Sequence, residues 1–144
     1  MEEDKNMEFE AIVKEALHMR EFSYVPYSHF RVGAALMTED GKLYTGCNIE
    51  NAAYTPSNCA ERTAFFKAVS EGERKFTAIA IAGGAEDAAE LEYCSPCGVC
   101  RQVMMEFCDY ETFKVVLVKS ETEYQVFTLK ELLPLGFGPK NLER

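Results

Sequence analysis

Three cysteines far apart in the chain constrain this sequence more than any other feature. Cys59 opens the triplet Cys59-Ala60-Glu61, and Pro96-Cys97-Gly98-Val99-Cys100 supplies two more thiols, three residues apart. Three thiolates can fill three of the four positions of a tetrahedral Zn²⁺ and leave the last for water. Glu61, two residues beyond the first thiol, then stands where a carboxylate can move protons on that water. The set reads as a hydrolytic zinc site holding one Zn²⁺ per chain, and the fold has to gather residues 59, 97 and 100.

The connection lengths allow this. Phe9, Ile12, Val13, Ala16 and Leu17 follow the spacing of one helical face, and Pro26 blocks any extension of that helix. A mostly apolar run from Arg31 to Met37 reads as a strand, Asp40-Gly41 as a hairpin turn, and Leu43 to Glu50 as the returning strand. Alternation along that strand puts Cys47 and Ile49 on its apolar side and Asn48 with Glu50 on the other. A helix follows from about Cys59 to Glu71, stopped by Gly72. Phe76 to Ala82 is continuously apolar, as in a strand covered on both faces. After an acidic loop, a helix begins near Cys97 with Val99, Val103 and Phe107 one turn apart, and Met104-Met105 fill core. Phe113 to Val118 and Tyr124 to Thr128 are strands whose short link forces an antiparallel pair. A short helix over Leu129 to Leu133 completes the pattern.

The expected architecture is α/β: one domain over residues 1–144, with a mixed five-stranded sheet, its last strand antiparallel, and helices on both faces. Both cysteine-bearing helices begin just after the carboxyl ends of parallel strands, on one edge of the sheet. The Asn48/Glu50 end of the second strand lies on that edge, and so does Phe30 at the start of the first.

Other readings of the thiols exist. The run Cys94, Cys97, Cys100 has a spacing seen in iron–sulfur ligation, and a closed structural zinc site would take Cys94 or Cys108 as fourth ligand; neither accounts for Glu61. Three disulfides would also use six cysteines. However, Met1-Glu2-Glu3-Asp4 shows no secretory signal, which points to a reducing, cytoplasmic setting. Cys47, Cys94 and Cys108 are then spare, and His18 and His29 are ordinary core or surface histidines. A net charge of −9 and a pI near 4.8 disfavour nucleic acid as partner, and no run suits a membrane span. Three thiolates on Zn²⁺ leave an excess negative charge, which Arg62, one turn beyond Cys59, is placed to offset by hydrogen-bonding a thiolate.

Cys59-Ala60-Glu61-Arg62 together with Pro96-Cys97-Gly98-Val99-Cys100-Arg101-Gln102 resembles the zinc nucleoside and nucleobase deaminases. Phe30-Arg31-Val32-Gly33-Ala34-Ala35-Leu36, Gly46-Cys47-Asn48-Ile49-Glu50-Asn51-Ala52 and Leu132-Leu133-Pro134 with Phe137-Gly138-Pro139 narrow the resemblance to the short, homotetrameric cytidine deaminases. It spans nearly the whole chain. It implies their three-layer α/β/α fold and deamination of cytidine and 2′-deoxycytidine in pyrimidine salvage. Zinc would sit on Cys59, Cys97 and Cys100, and Glu61 would carry protons from water to N3 and then to the departing amine. Asn48 and Glu50 would hydrogen-bond the ribose, Phe30 would pack beside the nucleoside, and Ala60 would line the substrate. Phe137 would lie against the pyrimidine ring from an adjacent subunit, and Tyr54 would contribute near a subunit boundary.

Overall fold

The computed structural model describes residues 2–143, and side chains from Phe9 onward; the acidic start read from Met1 to Asp4 lies outside the described side chains. A long helix α1 (Glu2–Met19) runs into a 3₁₀ turn (Arg20–Phe22). Strands β1 (Phe30–Thr38) and β2 (Leu43–Cys47) form the hairpin, whose turn uses Gly41 at φ +86°. Helix α2 (Ala60–Ser70) leads by way of Gly72, at φ +97°, to β3 (Phe76–Ala85). Helix α3 (Gly98–Phe107), strands β4 (Lys114–Val118) and β5 (Tyr124–Thr128), and a single-turn helix α4 (Leu129–Leu132) follow. Thr128 and Glu131 form a reciprocal capping box at the start of α4.

The sheet order is β2-β1-β3-β4-β5, with β3 and β4 parallel and every other pair antiparallel. This is the expected mixed sheet with an antiparallel last strand. Strand alternation divides the core between its two faces. Ala35, Ala78, Ala80, Val116 and Val118 pack under Phe9, Ile12, Val13 and Ala16 of α1. Ala34, Leu36, Ile79, Ile81, Val115 and Leu117 pack under Ala64 and Phe65 of α2 and Cys100 and Met104 of α3.

Two local expectations fail. The second strand ends at Cys47, three residues early, because the Asn48 side chain replaces the ladder: its Oδ1 accepts from Val32 N at 2.9 Å and its Nδ2 donates to Phe30 O at 2.8 Å. The chain then leaves β1 for Tyr24 and Asn58, so Ile49 is exposed rather than on an apolar side. On α3 the buried face carries Cys100, Met104 and Met105, which leaves Val99 more than half exposed. Cysteine at the first turn, not valine, sets the rotation of that helix.

Candidate metal centre and active site

Cys59 and Cys97 occupy equivalent places, each the extended residue that caps a helix N-terminus. Chains entering α2 and α3 come off the carboxyl ends of β2 and β3, which point the same way across the sheet. The two caps therefore meet, and Cys100 joins them one helical turn beyond Cys97. The Cys59 and Cys97 Sγ atoms are 3.8 Å apart, Cys97 and Cys100 Sγ are 3.3 Å apart, and all three lie within 4.8 Å of one another. All three are free thiols, and among the described residues they are the cluster able to hold a metal ion.

The electrostatics favour a cation there. A hydrogen bond from Cys100, assisted by the Arg62 guanidinium, holds the Cys59 thiol down to about 5 despite burial. As the donor in that pair, Cys100 is pushed up. Arg62 Nη2 donates to Cys59 Sγ at 3.2 Å, the contact expected from its position one turn on. Its Nε is buried without a partner among the described residues, and the guanidinium's charge is set against Cys59 and Cys100. Three soft sulfur donors, gathered without a disulfide and offset by an arginine, fit Zn²⁺.

Glu61 is buried, 4% exposed, in the first turn of α2. Burial, reinforced by the negative charge of Cys59, pushes its carboxyl up to about 7. That places it where one group can both take and give a proton near neutrality. Ala60 is fully buried at the first helical position, where a backbone N–H has no intrahelical acceptor.

The rim carries the remaining expected residues. Phe30 is 41% exposed at the start of β1. Glu50 Oε1 accepts from Tyr27 N and Ser28 N, each at 3.0 Å. The Ser28 hydroxyl and these amides hold its carboxyl below the usual carboxylate range. Tyr54 (φ 64°) stands well exposed with its ring edge-on to Tyr27. Phe137 is exposed beside a wholly exposed Leu135, and its carbonyl accepts from Gln102 Nε2 of α3 at 2.7 Å.

The profile of the family described as "Cytidine and deoxycytidylate deaminase zinc-binding region" matches residues 7–117. The chain belongs to this deaminase family. Cytidine deaminases from Sporosarcina psychrophila and Halalkalibacterium halodurans are 48% and 47% identical over 136 residues, which is 94% of this chain and 96% and 98% of theirs. The crystal structure of cytidine deaminase from Burkholderia pseudomallei superposes with a TM-score of 0.79 at 46% identity, covering 88% of this chain and 97% of that one. That from Mycobacterium tuberculosis gives 0.73 at 33% identity, covering 90% and 97%.

The sheet edge of this family member thus gathers Cys59, Glu61, Arg62, Cys97 and Cys100. The carboxamide of Asn48 is engaged by the β1 backbone, and the next residue, Ile49, bridges to Asn58, the neighbour of Cys59. The remaining cysteines lie outside the three-sulfur cluster: Cys47 is buried, burial and the nearby charges of Glu61 and Cys59 push the Cys94 thiol up to about 11, and burial raises Cys108 further. His18 is a surface residue near Glu15 and Glu21, and His29 pairs with Glu86. Sequence reading overlooked Tyr27 and Ser28, which act through backbone amides and carry no side-chain signature. It also overlooked Arg31, although a cation inside an apolar strand run demands a partner.

Proposed function

We propose that the chain catalyses hydrolytic deamination of cytidine and 2′-deoxycytidine to the uracil nucleosides and ammonia, as an enzyme of pyrimidine salvage in the cytoplasm. The observation that carries this reading is a buried carboxyl, Glu61, two residues from one of three sulfurs that lie within 4.8 Å of one another. Cys59, Cys97 and Cys100 hold the Zn²⁺, and when bound it supplies a Lewis acid that makes water acidic near neutral pH. Glu61 takes a proton from the attacking water and delivers it to N3 of the pyrimidine as the C4–O bond forms. It then carries the second water proton to the exocyclic amine, which leaves as ammonia when the C4–N bond breaks. A carboxyl near 7 matches both halves of that task.

Glu50, kept ionised by Tyr27, Ser28 and the Ser28 hydroxyl, is an acceptor for a ribose hydroxyl and repels a phosphate. A free nucleoside is therefore the substrate rather than a nucleotide or nucleic acid. Asn48 serves the same sugar, Phe30 packs beside the nucleoside, and Ala60 offers its first-turn backbone. The exposure of Tyr54, Leu135 and Phe137 supports a homotetramer in which Tyr54 and Phe137 complete a neighbouring site. One domain spans the chain, and no described helix is long and apolar enough to cross a membrane.

The test is loss of cytidine absorbance on purified, zinc-quantified protein. Glu61→Gln should keep one zinc per chain while turnover falls by roughly three orders of magnitude or more. Near-normal turnover in that variant rules out the proton-carrying role.

A further inference from the structure

Glu86, the first residue after β3, is tied to the substrate rim by more bonds than its exposed position requires. Its backbone N–H donates to His29 O at 2.7 Å. One carboxylate oxygen accepts from Arg31 Nη2 at 2.7 Å and Nε at 3.0 Å, while the other meets His29 Nδ1 at 3.0 Å. Arg31 is anchored in turn, its Nη1 donating to the carbonyls of Arg20, Glu21 and Ser23 at 3.1, 3.3 and 3.2 Å. Arg20 closes the knot with a bond from Nε to Arg31 O at 3.0 Å. His29 has φ 56°, a left-handed backbone that an ordinary residue keeps only where neighbours fix it.

The two residues before His29 are Tyr27 and Ser28, whose amides hold Glu50; the residue after it is Phe30. Those amides belong to the turn closed by His29 N–H on Val25 O at 3.1 Å, which exits through the fold-back at His29. We propose that Glu86 is a positioning residue for the sugar of the substrate: clamping His29 and Arg31, it fixes the Tyr27–Phe30 segment and so aims Glu50. Glu86 itself touches no reacting atom. The proposal rests on the reading of Glu50 as the ribose acceptor.

The experiment is a double-mutant cycle on the zinc-loaded enzyme with cytidine, reading KM and kcat separately. Glu86→Ala should raise KM about tenfold, as the loss of a charge-assisted contact does, with kcat essentially kept. Glu86→Gln retains polar atoms toward both partners and should hold KM within about threefold of the parent. In a Glu50→Ala background, Glu86→Ala should add nothing further, because both changes remove the same aimed carboxylate. Should Glu86→Ala not fold, His29→Gly keeps the left-handed backbone without steric cost and severs only the imidazole arm. It should then show the same non-additivity. A raised KM in Glu50→Ala with an additive effect of Glu86→Ala overturns the proposal alone, as does a Glu86→Ala loss confined to kcat. An unchanged KM in Glu50→Ala overturns the sugar assignment and the proposal with it.

Discussion

Gly46→Ala should damage catalysis from a position that touches neither metal nor substrate. Gly46 lies on β2 beneath the first turn of α2, and a Cβ there would stand 2.3 Å from Ala60 O and 2.7 Å from Ala64 N. Real Cβ contacts keep at least 3.0 Å, so the Ala60 carbonyl must retreat by 0.7 Å. The obstacle is backbone, which cannot swing aside as a side chain does, so α2 shifts as a unit. Cys59, Glu61 and Arg62 shift with it, while Cys97 and Cys100 stay on α3. Overpacking of this kind costs about 2 kcal/mol, or roughly 6 °C in melting temperature for a chain of this size. A misplacement approaching 1 Å at the reacting groups costs on the order of tenfold to a hundredfold in turnover. Gly33→Ala is the matched control. Its Cβ would meet Ala16 O at 2.0 Å, a worse clash, but against α1 on the opposite face of the sheet. Calorimetry should find both variants destabilised, and kcat per bound zinc at saturating cytidine should fall only in Gly46→Ala, since the Gly33 Cβ also presses on Arg20 N at 2.8 Å and acts on KM through the Arg20–Arg31 contact. Equal turnover losses in the two, or intact turnover in a destabilised Gly46→Ala, would refute the claim that α2 docking aligns the site.

Chelating the metal near neutral pH and adding a thiol reagent should label Cys59 first, since its thiol is held down to about 5, and leave Cys94, pushed up to about 11, behind; peptide mapping reads the order, and Cys108 reacting first contradicts it. The carboxyls of Glu50, Glu86 and Glu131 are all held below the ordinary 4.5 by hydrogen bonds. The folded chain therefore binds fewer protons than the unfolded one as acid is added, so their contribution is complete above 4.5 and lost as pH falls through their lowered values. Melting temperature should drop on that limb, with a shallower slope in Glu131→Gln. Phe137→Ala should raise KM about tenfold through lost stacking on the pyrimidine. Co-refolding Phe137→Ala with Glu61→Gln should then recover activity if Phe137 serves a neighbouring subunit, and recover none if it serves its own.

The parts of the fold legible in the sequence were those whose cause is local. The α1 face from Phe9 to Ala16, the Asp40-Gly41 turn, the Gly72 stop and the short link between β4 and β5 each declare themselves within a few residues. So does the metal set, because a helix start fixes the spacing of Cys97 and Cys100, and strand direction then brings Cys59 to them. What escaped is governed by competition between side chain and backbone. Period-two alternation cannot foresee that the Asn48 carboxamide will replace the β1–β2 ladder and end β2 at Cys47. Nor can a valine spacing on α3 reveal that sulfur packing turns Val99 outward. The Glu50 contacts come from backbone amides, which every sequence contains.

The placement of Glu61 follows from the same competition. A carboxyl at this depth is costly unless it is neutral or serves a purpose, and the chain spends none of its nearby cations on neutralising it directly: Arg62, the adjacent residue, donates to Cys59 Sγ instead. Had Arg62 bonded Glu61, the carboxyl would have been held well below neutrality and would be too weak a base to take up and hold a proton from water. With the guanidinium drawn to sulfur, burial dominates and the carboxyl stands near 7. In the proposed mechanism, one arginine thus divides two acidic neighbours into an anionic ligand and a proton carrier. Arg62→Lys, a point charge without the planar fork, should weaken zinc binding while leaving Glu61 buried, so metal affinity should fall in that variant before the proton-transfer step does.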